Sequence, residues 1–171
     1  MGQDKSLLLY QGRTLAEIVA GAVREAAGTV SLVGGERHAA LRQFDFIPDL
    51  YPGEGPLGGI ITALHNSRAD WNLIVACDMT GLRVDFLRTL LDTAAACEAD
   101  ALVPAGPSGR LEPLCAVYHR RALAGLERAF ADGVRQISTA LEQVRTAAIP
   151  VTEVAYFQNV NTPEEWANYG R

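Results

Sequence analysis

The run Leu73-Ile-Val-Ala-Cys-Asp78, opened by Trp71 and Asn72 and followed by Met79 and Thr80, constrains the fold more than any other stretch of the chain. Five successive apolar residues closed by a carboxylate leave no polar face. The pattern predicts a strand buried on both sides within a parallel sheet, ending near Asp78. In open α/β sheets the carboxyl ends of the strands form the ligand crevice, so an acid there is aimed at a ligand. A lone strand-end aspartate is equally well explained as a cap or loop residue before the next helix. The rest of the chain separates the two readings.

One strand of this kind needs a core around it. At 171 residues, 49% hydrophobic and 20% charged, the chain is long enough for one well-filled core and short for two domains. A formal charge of -5, with Lys and Arg dispersed, argues against a nucleic-acid partner. Any anionic ligand must be held locally. No apolar run approaches the roughly 20 residues of a membrane span, and the first residues lack the basic and apolar regions of a signal peptide. Cys77, Cys97 and Cys115 are far apart and lack CxxC spacing, so they read as reduced core residues of a cytoplasmic protein.

From the beginning, Met1-Gly-Gln-Asp-Lys5 leads into the short apolar run Ser6–Tyr10 and a turn at Gln11-Gly12. Lys5 near Gly2 is a phosphate-holding pair: glycine lets the backbone approach and the ammonium supplies charge. Taken alone, the pair reads more readily as solvated terminal residues. Thr14 and Glu17 have capping-box spacing, Leu15, Ile18, Val19, Ala22, Val23 and Ala26 share a face, and Gly28 is placed to stop that helix. Thr29 to Val33 reads as a strand with Gly34-Gly35 as its turn, Glu36 to Arg42 as a short helix with His38 exposed, and Phe44 to Pro48 as an extended segment.

The loop from Asp49 to Gly59 holds two prolines and four glycines and runs straight into an amphipathic helix carrying Leu57, Ile60, Ile61 and Leu64. Pro56, Leu57, Gly58 and Gly59 therefore sit at a helix N-terminus, where unpaired N–H groups can receive anions or carbonyls. Val84 to about Cys97 reads as a helix and Asp100 to Pro104 as a strand. Glu112 to Tyr118 is a strand close enough to form a hairpin appended to the parallel sheet. Helices over 121–130 and 137–144 precede a short strand over 149–154. Asn159-Val-Asn-Thr-Pro-Glu-Glu165 ends in a strong helix start at Thr162, Pro163 and Glu165. Asn159 and Asn161 would point to one side of an extended segment, toward a metal hydration shell or a polar ligand.

Met-Gly-x-Asp-Lys, Gly-Pro-Leu-Gly-Gly, Cys-Asp-Met, Glu-Pro-Leu-Cys-Ala-Val-Tyr and Asn-Val-Asn-Thr-Pro-Glu-Glu occur here in that order. Together they resemble the molybdenum cofactor guanylyltransferase family nearly end to end. The resemblance implies a Rossmann-like, doubly wound, mostly parallel sheet with helices on both faces. It implies transfer of GMP from Mg-GTP to molybdopterin with release of pyrophosphate, and transient contact with other cofactor-biosynthesis or acceptor proteins. Carried over by position, Lys5 corresponds to the lysine on the GTP phosphates and Asp78 to the magnesium ligand. Gly2, Gly34 and Asp49 fall in the nucleotide site. Pro56 to Gly59, Asn159 and Asn161 fall on the substrate side.

The resemblance also carries a departure. Members of the family begin with a strand and a glycine-rich Leu-Ala-Gly-Gly-x-Ser-x-Arg stretch before Met-Gly-x-Asp-Lys, a piece of about 12 to 20 residues. This chain starts at that methionine. The expectation is that residues 1–171 form a single nucleotidyltransferase domain, N-terminally incomplete, with Met1 an internal methionine mistaken for the start or the chain truncated before it. A first strand is central in such a sheet, so a gap is expected between its neighbours. Alternative readings are a sister enzyme using CTP on the pterin or GTP on another phosphorylated acceptor, and an inactive nucleotide-binding module.

Overall fold

The computed structural model describes residues 9–10, 12–35, 38–79 and 81–157. Gly12, at φ 79°, turns β1 (Leu9–Tyr10) back on β2 (Arg13–Thr14) as an antiparallel pair. Thr14 then caps α1 (Leu15–Ala27). Its hydroxyl accepts from the Glu17 N–H at 3.2 Å, while the Glu17 carboxylate accepts from the Thr14 N–H at 2.7 Å. The predicted capping box is present, and its hydrogen bonds lower the Glu17 pKa. β3 (Ser31–Val33), a 3-10 turn at Ala39–Leu41, β4 (Asp45–Ile47), α2 (Pro56–Asn66), β5 (Trp71–Val75) and α3 (Val84–Ala95) follow. The second half holds β6 (Ala101–Ala105), β7 (Cys115–His119), α4 (Leu123–Ala131), α5 (Ile137–Ala140), β8 (Thr146–Pro150) and a 3-10 turn at Val154–Phe157.

β3 pairs parallel with β4, and a four-stranded sheet has the order β5-β7-β6-β8. β7 is antiparallel to both β5 and β6, and β6 is parallel to β8, so β5, β6 and β8 share one direction. Three expectations shift in detail. β5 lies beside an antiparallel neighbour and is half-buried along its length, because an apolar run reports burial and not the direction of the strand beside it. The β6–β7 hairpin exists, but its β7 arm lies inside the sheet instead of on its edge. The last strand begins at Thr146, earlier than the predicted Ile149, and Val154 already belongs to the 3-10 turn. That strand is an edge, where Pro150 is tolerated.

Helices cover both faces of this sheet. In β6 and β7, Ala101, Val103, Ala116 and Tyr118 face α2, α4 and α5, while Leu102, Cys115 and Val117 face α1 and α3. This is the period-two alternation of strands buried on both sides. Of the three cysteines only Cys115 is buried; Cys97 is half-buried and Cys77 is exposed, which corrects the expectation that all three are core. Burial pushes the Cys115 thiol up to about 12.

Gly125 shows how tightly α4 is seated. A Cβ there would stand 2.6 Å from Val144 Cγ1 and 2.7 Å from the Gln143 carbonyl. Gly125→Ala is therefore expected to destabilise the chain by about 1–3 kcal/mol, read from the midpoint of urea unfolding.

Asp100 ties the start of β6 to flanking arginines. Its carboxylate accepts from Arg145 at 3.0 and 3.1 Å and from Arg121 at 3.0 Å. The Arg145 hydrogen bonds, helped by Arg121 and opposed by partial burial, hold its pKa down to about 2. A carboxyl depressed on folding stabilises above its unfolded pKa of about 3.9 and loses that contribution as pH falls through the folded value. Stability should drop between about pH 4 and pH 2, and Asp100→Asn should flatten the decline in acid-unfolding curves.

Candidate functional site

β5 ends at Val75 and the chain turns at once. The Ala76 N–H donates to the Leu114 carbonyl at 2.8 Å, and the Met79 N–H donates back to Ala76 at 3.3 Å. Met79 is buried in the core, so the turn is anchored on both sides, with Cys77 exposed and Asp78 half-buried at its tip. Asp78 lies three residues beyond the strand, not at its last position. It lines a cavity of about 580 Å³ that also takes in Gly34, Pro56 and Gly59.

Asp49 follows β4 and is brought against Gly34, which follows the adjacent β3. Gly34 has φ 73°, its N–H donates to the Ile47 carbonyl at 3.0 Å, and a Cβ there would stand 3.6 Å from Asp49 Cβ and 3.7 Å from Oδ2. The Asp49 carboxylate is divided in its work. Oδ1 accepts from the Tyr51 N–H and from the fully buried Thr62 hydroxyl, each at 3.0 Å. Thr62 in turn accepts from the Leu50 N–H at 3.1 Å. Oδ1 thus shapes the loop into α2, and Oδ2 is the oxygen on the Gly34 side.

The predicted helix start at Pro56 is present, with Gly55 at φ 88° before it, no side-chain cap, and the Gly58 N–H donating to the Gly55 carbonyl at 3.1 Å. The four residues of that start divide. Pro56 and Gly59 line the cavity, whereas the Leu57 side chain is fully buried in the core. Gly58 packs beneath Tyr51, where a Cβ would come within 2.9 Å of the Tyr51 Cβ. Tyr51 itself leans on Phe130, with ring centroids 4.5 Å apart. Gly2, Lys5, Asn159 and Asn161 lie outside the described residues.

Gly35, read from the sequence as part of the turn after β3, lies on the cavity wall, and so does His38, to which sequence reasoning assigned no role. His38 is exposed, as expected, but it caps the 3-10 turn instead of riding a longer helix: its Nδ1 accepts from the Ala40 N–H at 3.2 Å. Its place just past the carboxyl end of β3 was the available signal. The turn after Asp78 has a second neighbour. Gly81 lies directly under the Ala155 backbone with no room for a Cβ, and Phe86 at the start of α3 stacks on Tyr156 at 4.4 Å. The segment after β8 therefore crosses the chain at Gly81 and Phe86.

A profile of the MobA-like NTP transferase domain matches residues 1–146. The chain belongs to that family. A probable molybdenum cofactor guanylyltransferase from Nostoc sp. is 35% identical, over 98% of this chain and 83% of the relative. The molybdenum cofactor guanylyltransferase of Photobacterium profundum is 30% identical, over 99% and 88%. Among solved structures, molybdopterin-guanine dinucleotide biosynthesis protein A from Archaeoglobus fulgidus superposes with a TM-score of 0.80 at 28% identity, covering 98% of this chain and 89% of that one. The 2-C-methyl-D-erythritol 4-phosphate cytidylyltransferase of Thermus thermophilus, at TM-score 0.72 and 18% identity over 96% and 91%, shares the fold.

The carboxyl ends of β3 and β5 open on the one cavity that takes in Gly34, Gly35 and Asp78. Among the described residues no three His, Cys, Asp or Glu side chains are grouped as a metal cage. A single half-buried carboxylate beside a cavity is instead the donor set of a divalent cation that completes its shell with waters and substrate phosphates. Asp78 fits that description. Among the described residues, no helix of this MobA-like chain is long and apolar enough to cross a membrane.

Proposed function

We propose that this chain is a cytoplasmic molybdenum cofactor guanylyltransferase, acting as one nucleotidyltransferase domain that moves GMP from Mg-GTP to molybdopterin. The observation that carries the proposal is the cavity at the carboxyl edge, with Asp78, Gly34 and Gly59 on its wall and Asp49 behind Gly34. The names and extent of its relatives support the choice of substrates. An oxygen of the pterin's terminal phosphate attacks the α-phosphorus in line. A P–O bond forms as the bond to the bridging oxygen breaks, and pyrophosphate leaves. The attacking phosphate is already ionised, so no general base is required.

Asp78 holds magnesium, which supplies positive charge to the phosphate oxygens as the leaving group develops. Lys5 adds an ammonium on the same phosphates. Asp49 Oδ2 accepts from guanine N1–H and the 2-amino group, a donor pair that adenine lacks. The N–H groups at the start of α2 receive the acceptor substrate, with Asn159 and Asn161 on its polar side. The test is pyrophosphate release from GTP, CTP and ATP with molybdopterin and magnesium. Release from GTP at least about tenfold faster than from the others supports the proposal. A preference for CTP, or no release from any of them, overturns it.

A further inference from the structure

Among the described residues, Thr14 and Thr62 carry the two buried aliphatic hydroxyls. Thr14 is occupied as the cap of α1. Thr62 lies midway along α2, fully buried, and caps nothing. A threonine inside a helix ordinarily turns its proton back to the carbonyl four residues earlier, as Thr89 and Thr93 of α3 do at 2.9 and 2.7 Å. Thr62 sends its proton out of the helix instead. It donates to Asp49 Oδ1 at 3.0 Å, thirteen residues back, and accepts from the Leu50 N–H at 3.1 Å.

Oδ1 thus receives two donors, the Tyr51 N–H and the Thr62 hydroxyl. One donor would fix a point and leave the carboxylate free to swing about Cβ–Cγ, a broad torsion for aspartate. Two donors on one sp2 oxygen fix the plane, because both protons prefer to lie near it. Tyr51 belongs to the same loop and moves with it, whereas Thr62 belongs to the helix. The direction of Oδ2 is therefore set from α2. We propose that Thr62 is a positioning residue for nucleotide selection, holding the Asp49 carboxylate plane so that Oδ2 meets the base squarely. The inference rests on the reading of Asp49 as the guanine acceptor. Thr62 touches no substrate, being fully buried. Two donors of a planar base must share the plane of the carboxylate that accepts them, so a tilt weakens both bonds and erodes selectivity.

Calorimetric titration of the intact chain and its variants with GTP and ATP, in the presence of magnesium, tests this. Thr62→Val keeps the branched shape and removes the hydroxyl, and the preference for GTP should fall by about tenfold. Thr62→Ser restores the hydroxyl and should keep the preference within about threefold of the unaltered chain. Added to Asp49→Asn, Thr62→Val should lower the preference no further, because it acts through that carboxylate. Gly125→Ala, which strains α4 away from the cavity wall, should leave the preference unchanged. An unchanged preference in Thr62→Val overturns the inference, as does equal loss in Thr62→Ser, additive loss in the double variant, or equal loss in Gly125→Ala. If Asp49→Asn lowers the preference and Thr62→Val does not, this inference alone falls. If Asp49→Asn also keeps it, the reading of Asp49 falls and takes this one with it.

Discussion

Asp78→Asn is expected to reduce turnover of GTP and molybdopterin by about three orders of magnitude while leaving the fold intact. The substitution keeps the shape of the side chain and removes the charge that holds the cation. A metal ion contributes several kcal/mol to stabilising charge at a transferring phosphorus, and each 1.4 kcal/mol is tenfold in rate. The turn survives because its hydrogen bonds, Ala76 to Leu114 and Met79 to Ala76, are made by the backbone. Pyrophosphate release measured against magnesium concentration checks both halves. The residual rate should respond weakly to magnesium, and thermal unfolding should match the unaltered chain within about 1 kcal/mol. Retention of more than about a tenth of the rate would remove Asp78 from the metal site.

Asp49→Asn should act on choice of nucleotide instead of on rate. Asparagine keeps an oxygen where Oδ1 accepts from Tyr51 and Thr62, so the loop retains its shape. Its amide nitrogen falls where Oδ2 was, presenting donors to the guanine donors. Losing a charged acceptor and gaining an opposed donor should reduce discrimination of GTP from other nucleotides by about 10²-fold. Calorimetric titration with GTP, CTP and ATP measures it, and unchanged selectivity would remove Asp49 from base recognition. Asp49→Ala makes the contrast, since it also strips the acceptor from the fully buried Thr62 hydroxyl and should lower stability by about 1–3 kcal/mol.

Local chemistry made some of this legible before any coordinates. The Thr14–Glu17 box, Gly28 as a helix stop and Pro56 as a helix start are written in a few adjacent residues, and each occurs where the pattern puts it. The position of Asp78 past the carboxyl end of β5 was readable because the apolar run that makes the strand stops at it. Pairing is another matter. Whether β5 lies beside a parallel or an antiparallel strand depends on Cys115–His119, far along the chain, and nothing within Trp71–Val75 encodes it. The division of labour within Asp49 was equally hidden, since Thr62 meets it only after the loop folds back over α2. The β8 boundary failed for a simpler reason: Thr146-Ala-Ala-Ile-Pro150 has little contrast between its faces, and an edge strand needs little.

The antiparallel arm also sets the order in which this chain can be completed during synthesis. Trp71 to Val75 pair with His119 to Cys115, so β5 leaves the ribosome a few seconds before its partner at about 5–20 residues per second. Through that interval its Leu73, Ile74 and Val75 have no strand beside them on the β7 side. Until β7 arrives, α3, which follows β5 in the chain and packs Leu87 and Leu90 against Leu73 and Val75, is the element the chain itself supplies to cover that strand.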